Sequence, residues 1–144
     1  MKLIAHRGNI NGPDPENENS PKYIESAIQQ GYDVEIDLRV DLGLQLGHDE
    51  SQYFIDSSWL STFKDNLWIH CKDINSLVYL TERKFVGYNY FWHQEDDYTL
   101  TSQGYIWTYP GKCVSKNSIL VDLEGVNREA DCYGICSDYV GNLK

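Results

Sequence analysis

A chain of 144 residues, 41% of them hydrophobic, suits one globular domain spanning 1–144 rather than a disordered segment. Its 12 basic residues against 22 acidic ones leave a net charge of −10, which argues against nucleic-acid binding through phosphate neutralisation and against docking on an anionic membrane. No apolar run is long enough for a transmembrane helix, and Leu3-Ile4-Ala5 begins without a signal-peptide core, so a cytoplasmic protein without membrane insertion is expected.

Leu3-Ile4-Ala5 reads as a short buried strand ending in His6-Arg7-Gly8. A loop rich in Asn, Gly, Pro and Asp runs to Ser20, which has the character of a helix N-cap with Pro21 at the first helical position. The helix carries apolar residues at Tyr23, Ile24, Ala27 and Ile28, and Gly31 is placed to end it. Tyr32 to Arg39 then alternates apolar and polar as a strand does, which completes a βαβ unit with parallel strands. Asp41-Leu42-Gly43 is a turn, and Leu44 to Asp49 is a short alternating segment that delivers His48. Phe54 to Phe63 is expected to be partly helical. Leu67 to Lys72 is a third strand, with His70 and Lys72 on one face and Leu67, Ile69 and Cys71 on the other. Ile74 to Leu80 is a short helix. Strands follow at Lys84–His93, Tyr105–Tyr109, Ile119–Leu123 and Tyr133–Cys136, with connections too short for a full helix after each.

Cys71, Cys113, Cys132 and Cys136 form no C-x-x-C pair and suggest no zinc site. They read as reduced, small core residues, with a disulfide between two of the last three as the alternative. Trp107 and Tyr109 share a strand face, read as core packing unless that face points into a pocket, and His93 reads as a loop-edge surface histidine beside Glu95, Asp96 and Asp97.

Glu35 and Asp37 are two residues apart on one strand, so their carboxylates lie side by side. Two such carboxylates repel, and a hard divalent cation resolves the conflict by binding oxygens from both. His6, Arg7, Glu35, Asp37, His48, His70 and Lys72 all collect at the C-terminal ends of the first three strands, where parallel α/β sheets build their active sites. Two carboxylates, several imidazoles, an Arg and a Lys suit phosphodiester cleavage. The cations neutralise phosphoryl oxygens, and histidines move protons to and from the nucleophile and leaving group.

His6-Arg7-Gly8, Pro15-Glu16-Asn17, Glu35-Ile36-Asp37-Leu38-Arg39, Asp41-Leu42-Gly43 and His48-Asp49 stand in the order of the glycerophosphodiester phosphodiesterase signature, and the chain resembles that family over its first fifty residues. Beyond them, Trp68 to Lys72, Trp107-Thr108 and Gly134 to Asp138 are similar to later strands of the family. The resemblance implies a TIM-type barrel, here abbreviated and lacking several outer helices, because a complete one takes about 250 residues. It implies hydrolysis of a small glycerol- or sugar-linked phosphodiester to an alcohol and a phosphomonoester. His6 and His48 match the acid–base pair, Arg7 and Lys72 the phosphate-binding groups, Glu35 and Asp37 metal ligands, and Glu16 a supporting acidic residue that ligates the metal or orients His6. The family's third ligand, a glutamate, falls where this chain has His70. One divalent cation is expected, Mg²⁺ or Ca²⁺, with the imidazole of His70 favouring Mn²⁺ or Zn²⁺. The same constellation also suits a phosphodiester lyase that forms a cyclic phosphate, or a non-catalytic module that binds a phosphate or sugar phosphate. A truncated barrel would expose strand edges that a second copy of the chain could cover.

Overall fold

The computed structural model describes residues 1–82 and 87–144. Its strands are β1 (Lys2–His6), β2 (Asp33–Val40), β3 (Leu44–Leu46), β4 (Tyr53–Phe54), β5 (Leu67–Cys71), β6 (Asn89–Trp92), β7 (Tyr98–Leu100), β8 (Ile106–Thr108), β9 (Ser118–Val121) and β10 (Gly134–Ser137). The helices are α1 (Pro21–Gln29), α2 (Ser57–Phe63) and α3 (Ile74–Glu82), and a 3-10 turn (Val140–Leu143) closes the chain. The strand expected over 84–93 is formed at Asn89–Trp92, and its 84–86 portion lies outside the described residues.

Seven strands run parallel in the order β6-β5-β2-β1-β10-β9-β8. β7 adds antiparallel to β8, and the β3–β4 hairpin pairs antiparallel with the C-terminal half of β2. The sheet curls, so that Phe91 of β6 stacks on Trp107 of β8 with centroids 4.6 Å apart, and Trp107 lies 6.1 Å from Trp68 of β5.

The expected TIM-type barrel is not the fold. The molecule is mostly strands, a curled half-barrel with only three short α-helices among the described residues, all before β6. The cause lies in the connections. From Trp92 onward the strands are joined by turns and Gly-, Asp- and Ser-containing loops that form no helix to cover the sheet.

Where helices form, their local signals are those expected. The Ser20 side chain accepts a hydrogen bond from the Tyr23 main-chain N–H at 3.3 Å, and Pro21 opens α1. Asp56 caps α2 by accepting from the Trp59 N–H at 2.8 Å. Asp73 accepts from the Ser76 N–H at 2.7 Å at the start of α3. Strand alternation then sorts the core into two layers. Ala5, Val34, Ile36, Leu38, Leu67, Ile69 and Ile135 point to the convex side, where they pack with Ile24 and Ala27 of α1, Leu80 of α3, and Val140 and Leu143. Ile4, Trp68, Phe91, Trp107, Ile119 and Cys136 fill the concave side. All four cysteines are free, so no disulfide ties the described chain. No helix among the described residues is long and apolar enough to cross a membrane.

Candidate active site

The concave face of β2 carries Glu35 and Asp37, 2% and 1% exposed. On β5, His70 pairs in register with Asp37 and turns to the same side. Its Nδ1 lies 3.3 Å from Asp37 Oδ1 and 3.6 Å from Glu35 Oε1, and one donor atom from each of the three residues lies within 4.8 Å of the others. Nε2 of His70 is held 3.1 Å from the main-chain oxygen of His93, which makes Nε2 the protonated donor and leaves Nδ1 for the carboxylates. Glu35 Oε2 and Asp37 Oδ1 are buried with no hydrogen-bond partner. Buried carboxylate oxygens are rarely left so. A two-carboxylate, one-imidazole donor set with orphaned oxygens fits a small divalent cation.

Electrostatics around this cluster are strong. Burial opposes protonation of His70, but Asp37 and Glu35 outweigh it and push its pKa up to about 9. Asp37 is held well below the usual carboxylate range. Burial works against its charge, and His70, Arg7 and the hydrogen bond from Asn19 overcome it.

The turn after β1 supplies the next groups. Arg7 adopts φ 53°, a left-handed conformation that non-glycine residues rarely take. Gly8 follows at φ 94°, and a β-carbon there would come within 2.7 Å of the Tyr23 ring. This tight turn sends the Arg7 Nε to within 3.1 Å of Asp37 Oδ2, and Nη1 of the same guanidinium donates to Glu18 Oε2 at 3.1 Å. His6 faces Asp138, whose Oδ1 is 2.7 Å from Nδ1, while Nε2 is 3.9 Å from Glu35 Oε2. Burial disfavours the charged His6 ring, but the Asp138 hydrogen bond and the Glu35 charge prevail, so its pKa lies above the ordinary histidine value. Lys72, just past β5, has its Nζ 3.9 Å from Asp37 Oδ1.

His48 comes from the β3–β4 loop and is 39% exposed, with Nδ1 2.7 Å from Asp49 Oδ1. Its loop is fixed by Arg39 of β2, which donates from Nε to the Gly47 carbonyl at 2.9 Å and from Nη2 to the His48 carbonyl. Gly47 has φ 154°, and any β-carbon there would strike the Glu50 carbonyl.

His6, Arg7, Glu35, His48, His70 and Lys72 all line one cavity of about 420 Å³ at the C-terminal ends of the strands. Asp37 lies buried beneath it. Glu16 does not line this cavity. It is exposed, and only its main-chain oxygen is engaged, by the Tyr53 hydroxyl at 3.1 Å. Two residues on, Glu18 binds Arg7 and Asn9, and the buried Asn19 exchanges hydrogen bonds with Asp37, 2.9 Å to Oδ2 and 3.0 Å from its N–H. The repeat Glu16-Asn17-Glu18-Asn19 offers two registers, and the capping Ser20 marks the second as the one at the site. Asn9, Asn19 and Glu18 are neighbours of these groups that residue patterns do not single out, and Asp138 and Arg39, present in the motifs, are given no role by them. His93 lines the cavity as well, so all four histidines of the chain converge there.

The chain matches no family model, no curated protein and no solved structure.

Proposed function

We propose that this protein is a divalent-metal-dependent phosphodiesterase that hydrolyses a small glycerol- or sugar-linked diester to an alcohol and a phosphomonoester. The observation that carries the reading is the pair of buried carboxylate oxygens that accept no hydrogen bond, Glu35 Oε2 and Asp37 Oδ1, set beside His70 at the cavity where the histidines gather. Glu35, Asp37 and His70 would hold the ion, which when bound neutralises charge on the phosphoryl oxygens.

The chain's own groups divide the remaining work. Asp138 fixes Nδ1 of His6, so Nε2, on the Glu35 side, is the atom that takes and returns a proton. His48, tethered by Asp49 and by Arg39's grip on its loop, is the second proton carrier on the same cavity. Lys72 presents its ammonium to the phosphate, and Arg7, anchored by Asp37 and Glu18, presents a guanidinium whose direction is preset.

Hydrolysis of bis(p-nitrophenyl) phosphate and glycerophosphodiesters tests the proposal, using EDTA-stripped protein re-supplied with Mg²⁺, Ca²⁺, Mn²⁺ or Zn²⁺. Turnover restored by one of these ions is expected, with about 10²-fold or greater loss in His6→Ala and in His48→Ala. Full activity in either variant would remove that histidine from the mechanism, and no turnover with any ion would remove the activity.

A further inference from the structure

His93 is the one cavity histidine that the acid–base pair and the metal ligands leave without a task. Its side chain is only 17% exposed, and Nδ1 is buried with no hydrogen-bond partner; the facing carboxylate, Asp96 Oδ2, stands 3.8 Å away. With Nδ1 buried on the Asp96 side, the ring edge that carries Nε2 is the one left to the cavity that His93 lines.

The cavity that His93 lines is bordered by the charged groups His70 and Lys72 and also by Trp92, Trp107, Tyr109 and Pro110. Trp107 is 6% exposed and cannot turn away, because it stacks on Phe91 at 4.6 Å. Flat aromatic walls favour a ring lying against them. The imidazole adds a hydrogen-bonding edge beside these rings, in a cavity that Gln94 and Tyr109 also line. A site with such an edge discriminates against any ligand that leaves it unpaired.

We infer that the aromatic lobe seats a ring-bearing alcohol arm of the substrate, and that His93 selects arms whose ring carries a hydroxyl or similar hydrogen-bonding group. This rests on the phosphodiester reading and adds to it the class of one substrate arm. A hydroxyl both donates and accepts, so it satisfies either tautomer of the His93 ring.

Calorimetric titration of the Mn²⁺-supplied protein with benzylphosphonate and (4-hydroxybenzyl)phosphonate tests the inference without requiring turnover. The hydroxylated ligand is expected to bind about 10-fold tighter or more. In His93→Phe the ratio should fall to near one while benzylphosphonate binds as before, and His93→Gln should keep part of the preference. Both variants retain the main-chain carbonyl that holds His70, so unchanged Mn²⁺ affinity verifies an intact site. Equal affinities in the unaltered protein, no binding of either phosphonate, or a preference that survives in His93→Phe would overturn the inference. The phosphodiesterase reading fails differently, as absence of diester hydrolysis while the preference for the hydroxylated ligand persists.

Discussion

β1, β2 and β5 carry His6, Glu35, Asp37 and His70 on the concave face and are covered on the convex face by apolar packing against α1 and α3. β6, β8 and β9 carry Phe91, Trp107 and Ile119 on the same concave face, with no helix following them. The two halves share one sheet and one cavity but contribute different things. The helix-backed half can bury charges because its strands are anchored from behind and its charges neutralise one another. The aromatic half supplies volume and a wall. If this division holds, damage to the second half should cost stability before it costs metal binding, and damage to the first should do the reverse.

Trp107→Ala is the strongest blow to the aromatic half. It removes a side chain 6% exposed that packs on both Phe91 and Trp68, and large-to-small changes of this kind cost about 3–5 kcal/mol. Urea denaturation should show that loss, while metal affinity, measured on the protein that remains folded, stays near the unaltered value. A parallel loss of metal affinity would show that the halves do not act separately.

On the charged side, the metal-free protein should respond to pH through His70. Its folded pKa of about 9 is raised above the ordinary histidine value near 6.5, so the stability it contributes is fully present below pH 6.5 and is lost as pH rises through 9. Denaturation midpoints taken between those values should fall steadily. A cation displaces that proton, so the apparent metal affinity should climb over the same interval. A flat stability profile would mean that Glu35 and Asp37 do not hold the ring protonated.

Asp138→Asn tests the other imidazole. Asp138 helps raise the His6 pKa, so its loss should move the acidic limb of the rate profile to lower pH. Turnover should fall by about 10²-fold, within the range that general acid–base catalysis contributes. An unshifted limb would mean that Asp138 does not position His6.

The same division explains what was legible in the sequence. The β1-α1-β2 unit, the caps Ser20 and Pro21, and the sorting of Leu67, Ile69 and Cys71 from His70 all follow from short-range patterns, and those patterns survive folding where a helix backs the strand. The proximity of His70 to Glu35 and Asp37 was readable because all three lie on adjacent strands of one parallel unit. Of the later strands, β6, β8, β9 and β10 are readable in the sequence, whereas β7, a three-residue edge strand, is not, and neither is the arrangement as a curled half-barrel, which depends on how Phe91, Trp107 and Trp68 meet across it. Asp138 lies in the Gly134 to Asp138 motif, but it reaches His6 from 132 residues away, and no local pattern announces that pairing. The acidic neighbours of His93 suggest a surface residue, yet it directly follows β6, whose neighbour is β5, and that pairing carries it to the cavity.

The acidic residue before α1 is the sharpest case, because it turns on a shift of two residues. Sequence order assigned the role to Glu16, within Pro15-Glu16-Asn17. The carboxylate that the structure ties to the surrounding groups is that of Glu18, which accepts from Arg7 at 3.1 Å and from Asn9 at 2.8 Å, while Asn9 also donates to Asp138 at 2.8 Å. Glu18 thus couples the Arg7 anchor of Asp37 to the Asp138 anchor of His6. Glu18→Gln keeps the shape but removes the charge that fixes Arg7, and supporting contacts of this kind are worth about 10–100-fold in metal affinity or activity. A fall of about 10-fold is expected in Glu18→Gln, with no measurable change in Glu16→Gln, whose side chain leaves the Tyr53 contact to the main chain intact. The opposite result would return the role to Glu16 and require the loop from Asn9 to Ser20 to be re-threaded through the site.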